Sequence, residues 1–128
     1  MDLDLQDRVA IVTAASRGLG KAAAQALARE GANIALCSRT DQIFATAEEI
    51  QQESGVDVLA VQTDLIEPKQ IEAMIAKAHS HFQKIDILII NAGGPPPGGF
   101  LDLKLEDWSM AVDLTVMSAV RLCYAVVP

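Results

Sequence analysis

The sequence has only two cysteines, Cys37 and Cys123, among its 128 residues. Both sit inside apolar runs, with no C-x-x-C pair and no cysteine–histidine spacing. A disulfide framework and a zinc motif are therefore excluded, and the expectation is two buried thiols in a reducing compartment. A secretory leader is missing too: no basic stretch, apolar core and small-residue cleavage site open the chain. No apolar run reaches the roughly 18 residues of a membrane span. Together these absences predict a cytoplasmic, soluble chain with no membrane partner. Basic charge is scarce as well. Ten Lys and Arg face 17 Asp and Glu, giving a net charge of −7 and a pI of about 4.6. The ten cations are scattered and form no stripe, so nucleic acid is not an expected partner. The acids fall on the polar sides of helical patterns and read as solvated faces.

What is present is a regular alternation. Arg8 to Thr13, Asn33 to Cys37, Asp57 to Gln62 and Lys84 to Ile90 are short aliphatic or β-branched runs at nearly even intervals. Val9-Ala10-Ile11-Val12 and Ile87-Leu88-Ile89-Ile90 are continuously apolar, the habit of parallel strands covered on both faces. Between the runs lie helical stripes: Leu19, Ala22, Ala23, Ala26 and Leu27; then Ile43, Ala47 and Ile50; then Ile71, Met74, Ile75, Ala78 and Phe82. Gly31 and Gly55 fall where left-handed capping residues end the first two helices, and Pro68 near the start of the third. Strand–helix repetition of this kind gives right-handed crossovers and an α/β fold, a doubly wound parallel sheet of four strands with the first strand central. This is a Rossmann half, with residues 1–128 as part of one such domain. Asn91 to Gly99, with Pro95-Pro96-Pro97 at its centre, reads as a loop. After it Trp108, Ala111, Val112, Thr115, Val116, Ala119 and Leu122 mark a long apolar-faced helix that continues until Pro128 and calls for a partner, either a further strand or another subunit.

The chemistry concentrates where the first strand runs into Thr13-Ala14-Ala15-Ser16-Arg17-Gly18-Leu19-Gly20. Small residues let the backbone turn tightly and approach a ligand, and the following helix offers unpaired N–H groups and a positive dipole end to a pyrophosphate. A Walker loop is excluded, because Ala15 stands where its leading glycine is needed and Ala22 where its Ser or Thr would bind magnesium. Ser16 lacks a G-x-S-x-G elbow and reads as a loop hydrogen-bonder, not a nucleophile. His79 and His81, two apart near a helix end, point different ways and read as surface residues, not a metal pair.

At these positions the sequence resembles the short-chain dehydrogenase/reductase family, whose cofactor loop has the pattern T-G-x-x-x-G-x-G. Thr13, Gly18 and Gly20 match, and Ala14 takes the place of the first glycine. Asp64-Leu65 follows the third strand, where the resemblance implies an acid at the adenine edge. Asn91-Ala92-Gly93 resembles the end of the family's N-N-A-G motif, with Ile90 in place of its first Asn. The resemblance implies cofactor-binding roles for Thr13, Ala14, Ser16, Arg17, Gly18, Leu19, Gly20, Ser38, Arg39, Thr40, Asp64, Leu65, Asn91, Ala92, Gly93 and Gly94. Which nicotinamide cofactor binds is read at the end of the second strand, where an acid favours NAD and repels a 2′-phosphate. Here the tip is Ser38-Arg39-Thr40 with Asp41 beyond it as a candidate helix cap. Arg39 and Arg17 offer charge-assisted hydrogen bonds to a phosphate, so NADP(H) is expected over NAD.

The family's catalytic pair, Tyr-x-x-x-Lys, is absent: Tyr124 is the only tyrosine, and Pro128 stands four residues on. Thr115 occupies the place of the family's helical Asn. The resemblance covers the chain given but about half of a typical member, and no catalytic residue is assigned. The loop from Asn91 to Phe100 looks like a subgroup related to 3-oxoacyl-carrier-protein reductases. The leading expectation is the cofactor half of an NADP(H)-dependent oxidoreductase acting on a small carbonyl or hydroxyl substrate, associating as a homo-oligomer or with its carboxyl-terminal half. A non-catalytic nucleotide-binding or structural fragment, from truncation or cleavage, is the alternative. A methyltransferase is disfavoured because it would carry an acid after the second strand.

Overall fold

A computed structural model of the chain describes residues 2–95 and 97–128. Four strands, β1 (Val9–Val12), β2 (Asn33–Ser38), β3 (Val58–Gln62) and β4 (Ile87–Ile89), alternate with α1 (Gly18–Arg29), α2 (Gln42–Ser54) and α3 (Pro68–Phe82). All pairings are parallel, in the order β3-β2-β1-β4. The chain therefore forms the expected doubly wound sheet with β1 inside it. Pleating sends Ala10, Val12, Ile34 and Leu36 to one face, where Ala24, Ala28, Ile43, Ala47 and Ile50 of α1 and α2 cover them. Ile11, Ala35 and Cys37 face the other way, against Ile71, Met74, Ile75 and Ala78 of α3 and against Leu122. β1 and β2 are buried on both faces, whereas β3 and β4 are largely half-buried because they are the sheet's edges.

The stripes of α2 and α3 match expectation: Ile43, Ala47 and Ile50 are buried, as are Ile71, Met74, Ile75 and Ala78. α2 ends at Gly55 with φ +75, a left-handed cap that glycine adopts without strain, and Pro68 opens α3. The stripe expected for α1 needs correction. Its buried face is Gly20, Ala24 and Ala28, while Leu19 is 84% exposed and Ala22 and Ala26 are exposed too. Small residues four apart let α1 lie close to the sheet, and close approach outweighs the greater apolarity of leucine in choosing the face.

The segment 91–104 contains no helix or strand in its described residues, as its composition implied; Pro96, within the triple-proline run, lies outside the described residues. The long helix begins earlier than expected. It comprises α4 (Leu105–Val112), a wider π turn (Asp113–Met117) and α5 (Ser118–Val126). A capping box starts it: Lys104 N–H donates to the Asp107 carboxylate at 2.9 Å. Within the π turn the Thr115 hydroxyl donates to the Ala111 carbonyl at 2.6 Å, and Ser118 donates to the Leu114 carbonyl. Hydroxyls bonded back to carbonyls four residues earlier loosen the helical ladder, which fits the local widening.

Two expectations fail along this helix. Cys37 is buried, but Cys123 is exposed, because α4 and α5 bury only Ser118 and Leu122 among their residues. Helix Leu105–Val126 has 22 residues, and an 18-residue stretch of it has a mean hydropathy of 1.4, so by length and composition one segment does reach the membrane-span threshold. Reading only uninterrupted apolar runs missed it, since Asp113 and Arg121 divide the run; they pair with each other at 3.7 Å.

Candidate functional site

Parallel strands place all their carboxyl ends along one edge of the sheet. The segments leaving that edge follow the strand order: Asp64-Leu65, then Ser38-Arg39-Thr40, then Thr13 to Gly20, then Asn91 to Gly94. From β1 the chain crosses to β2 on one side and later reaches β4 on the other. The end of β1 is thus the topological switch point, where open α/β sheets form a ligand crevice.

Side chains hold this crevice in shape. The buried Thr13 hydroxyl donates to the Asn91 carbonyl at 2.6 Å and accepts from the Asn91 N–H at 2.8 Å, which latches the end of β1 to the end of β4. Asn91 Nδ2 donates to the Ala14 carbonyl at 3.2 Å. That carbonyl belongs to a residue at φ +51, the left-handed region that a Cβ disfavours. This strain is the physical reason the family pattern has glycine there. The Ala15 N–H donates to the Cys37 carbonyl at 3.0 Å, and Thr46 of α2 donates its hydroxyl to the Ser16 carbonyl at 2.7 Å.

Two glycines serve different needs. A Cβ on Gly20 would lie 2.4 Å from the Ala14 carbonyl oxygen, so only glycine lets α1 start against the turn. Gly18, at φ +62, faces open space with nothing within 4 Å of where its Cβ would be. Arg17 occupies the cap position of α1 in extended conformation, and no side chain caps the helix. The first N–H groups of a helix have no partner within it, so this uncapped end beside open backbone can accept an anion.

The β2 tip is built to present charge. The Ser38 hydroxyl donates to the Thr40 carbonyl at 3.1 Å, Gln62 Nε2 donates to the Arg39 carbonyl at 3.0 Å, and the Thr63 N–H donates to the Ser38 carbonyl at 2.7 Å. Ser38 is buried, while Arg17, Arg39 and Thr40 are exposed. Asp41 stands at the cap position of α2 but makes no capping bond, correcting its reading as a cap: its helical backbone (φ −71, ψ −8) departs from the extended geometry a capping side chain needs. Lys21, next to Gly20, is held at 2.7 Å by Glu49 of α2.

Asp64 accepts the Ile66 N–H at 3.0 Å and donates its own N–H to Gln70 at 2.8 Å, a local turn that holds its carboxylate near the β3 end. The Leu65 side chain is buried in the core, and Ala92 packs partly against the same cluster. Gly93 and Gly94 are exposed. Beneath the loop, burial pushes the Cys37 thiol up to about 11, only partly opposed by hydrogen bonds from the Ala14 backbone and Thr63. Cys37 therefore stays protonated and inert, a packing residue under the site.

Thr46, and the latching chemistry of Thr13, escaped the sequence reading. A threonine on the Ile43–Ala47–Ile50 face was the available signal. Two hollows lie elsewhere: about 620 Å³ bordered by α3 and the end of α5, and about 560 Å³ along α2 and β3. Among the described residues no group of three or more His, Cys, Asp or Glu could hold a metal.

The sequence model of the short chain dehydrogenase family matches residues 8–128. The chain belongs to the short-chain dehydrogenase family. Members of this family bind a nicotinamide dinucleotide on a Rossmann sheet of the kind described above. The chain is similar to oxidoreductase UcpA of Salmonella typhimurium, 34% identical over 97% of this chain and 47% of that protein. A 3-oxoacyl-[acyl-carrier-protein] reductase of Synechocystis sp. is 37% identical over 93% of this chain and 48% of that one. In structure it resembles the L-sorbose reductase of Gluconobacter frateurii complexed with NADPH and L-sorbose, with a TM-score of 0.96 and 36% identity, covering 100% of this chain and 49% of that one. The chain thus spans about half the length of each of these relatives.

Proposed function

We propose that this chain is the dinucleotide-binding half of an NADP(H)-dependent oxidoreductase that moves hydride between nicotinamide and a small carbonyl or hydroxyl compound. The bound cofactor supplies the hydride; the residues here would bind and orient it. The observation that carries the reading is the crevice at the end of β1, where the uncapped α1 terminus and the open backbone at Gly18 face outward beside two exposed arginines. In it the pyrophosphate would lie against Arg17 to Gly20, the ribose 2′-phosphate against Arg17, Ser38, Arg39 and Thr40, the adenine beside Asp64 and Leu65, and the nicotinamide toward Asn91 to Gly94. Thr13 and Ala14 shape the turn, and Leu19, 84% exposed, would flank the ligand. The absence of an acid at the β2 tip and the NADPH complex of the similar L-sorbose reductase both support NADP(H) over NAD.

Titrating the chain with NADPH and NADH by fluorescence tests this. NADPH should bind about tenfold more tightly, and Arg39→Ala should remove most of that preference, as a lost charge-assisted hydrogen bond implies. Equal affinity for the two would overturn the NADP(H) assignment. No binding of either would favour a purely structural unit. The substrate chemistry and the proton donor belong to the whole enzyme. We further propose that the apolar outer face of α4 and α5 is covered by the enzyme's carboxyl-terminal half or by a second copy.

A further inference from the structure

Thr46 sits in mid α2 with 3% of its surface exposed, on the face that carries Ile43, Ala47 and Ile50 into the core. A buried hydroxyl needs a partner. Threonines inside helices commonly bond back to the carbonyl four residues earlier, and Thr115 does so in this molecule. Thr46 instead reaches across to the Ser16 carbonyl, 30 residues away in sequence, at 2.7 Å. The bond is the buried end of a polar seam between α1 and α2. The seam continues outward through Lys21–Glu49 at 2.7 Å and Gln25–Glu53 at 3.4 Å.

The placement of the bond gives it a role. Ser16 precedes Arg17, whose backbone is extended at the cap position with no capping side chain to steady it. α2 starts at Gln42, directly after Ser38-Arg39-Thr40 and Asp41. The hydroxyl therefore joins the segment bearing Arg17 to the helix that follows the segment bearing Arg39. We propose that Thr46 is a positioning residue for cofactor discrimination, holding Arg17 in register with the β2 tip so that both guanidinium groups meet one 2′-phosphate. This inference rests on the NADP(H) reading of the site. The Arg17 to Gly20 backbone would meet the pyrophosphate of either cofactor, whereas only a 2′-phosphate needs both guanidinium groups in register, so loss of the bond should cost NADPH more than NADH.

The test compares dissociation constants for NADPH and NADH, with melting temperatures alongside, in the wild-type chain and in Thr46→Val, which keeps the β-branched shape and loses the hydroxyl. NADPH should weaken about fivefold to tenfold, as expected for one lost hydrogen bond, with NADH changed less than about twofold. Thr46→Ser should restore the preference. In an Arg17→Ala background Thr46→Val should cost nothing further. Should Thr46→Val fail to fold, Thr46→Ala carries the same comparison without pressing a methyl against the Ser16 carbonyl. A wild-type chain that prefers NADPH, combined with a Thr46→Val variant whose preference is unchanged or whose affinities fall equally, overturns the role of Thr46 alone. A wild-type chain with no preference for NADPH overturns the cofactor reading and this inference with it.

Discussion

Up to Ala92 the chain wraps its sheet on both faces, whereas from Gly93 onward it presents apolar side chains to solvent. In the first region the buried side chains form two clusters divided by the sheet, and short β-pairings are reinforced by side chains. β4 contributes only three paired residues to β1, yet both ends of that pairing are latched. Thr13 and Asn91 close the carboxyl end, and Asp86 accepts the Val9 N–H at 2.9 Å at the other. In the second region Trp108, Val112, Val116, Val120 and Tyr124 recur every fourth residue, and all are exposed. A helix propagates by its own hydrogen bonds and can form without a cover, but a parallel edge strand cannot. The difference teaches that local backbone structure and tertiary coverage are separate properties, and that all of the candidate site except Gly93 and Gly94 lies in the covered region.

The sharpest way to break that comparison is at Gly20. Gly20→Ala would put a Cβ 2.4 Å from the Ala14 carbonyl, in backbone that Asn91 and Ala15 already hold on both sides. Overpacking of this kind costs about 1–3 kcal/mol, so NADPH affinity should fall roughly 10-fold to 100-fold in a fluorescence titration. If affinity stays within twofold, the loop is not the rigid cradle its hydrogen bonds describe.

Much of the covered region was legible from residues alone because its signals are local. Continuous aliphatic runs mark strands buried on both faces, and the α2 and α3 stripes name their buried sides. The α1 face was not legible. Ala22, Ala23, Ala24, Ala26 and Ala28 differ too little in hydrophobicity to choose a side, and the choice comes from how closely Gly20, Ala24 and Ala28 let the helix approach the sheet. The glycine positions of the loop were visible, but its anchors were not. Thr13 and Thr46 read as ordinary strand and helix residues, and their partners lie 78 and 30 residues away. The exposure of Cys123 was misread for the complementary reason: an apolar pattern reports a face that seeks cover, not one that has found it.

The other end of the β1–β4 pairing offers a pH test of the covered region. The Val9 N–H holds the Asp86 carboxyl below the usual carboxylate range, against an opposing desolvation effect and with help from Lys84 at 3.1 Å and from Arg8. A carboxyl whose folded pKa is depressed stabilises the fold above its unfolded value near 4, and that contribution is lost as pH falls through the lowered folded value. Asp86→Asn should therefore lower Tm at pH 7 by about 3–6 °C, the effect of one hydrogen bond to a charged group in a chain of this size. The variant and wild-type curves should converge as pH falls through the lowered folded value, in thermal melts followed by circular dichroism. Parallel curves across the whole range would mean that Asp86 contributes through shape and not through charge.

The smallest expected change in stability sharpens the same contrast from the uncovered side. Val120 is 39% exposed in the middle of the fourfold stripe on α4 and α5, and Leu122, two residues on, is fully buried against Ile11 and Met74. Val120→Lys adds a charge to the bare face without opening a cavity, and it also raises the chain's negative net charge of −7 by one unit toward zero. Surface changes of this kind stay within about 0.5 kcal/mol, so urea unfolding midpoints should hardly move. Sedimentation velocity over a concentration series should nevertheless show less self-association, because a lysine on an apolar contact must be desolvated when two such faces meet. Reduced net charge would by itself favour association, so a shift toward smaller species isolates the effect of the face. A loss of stability comparable to that of a core truncation would instead mean that this face of the helix is packed within the chain, and the division between a covered and an uncovered region would no longer hold.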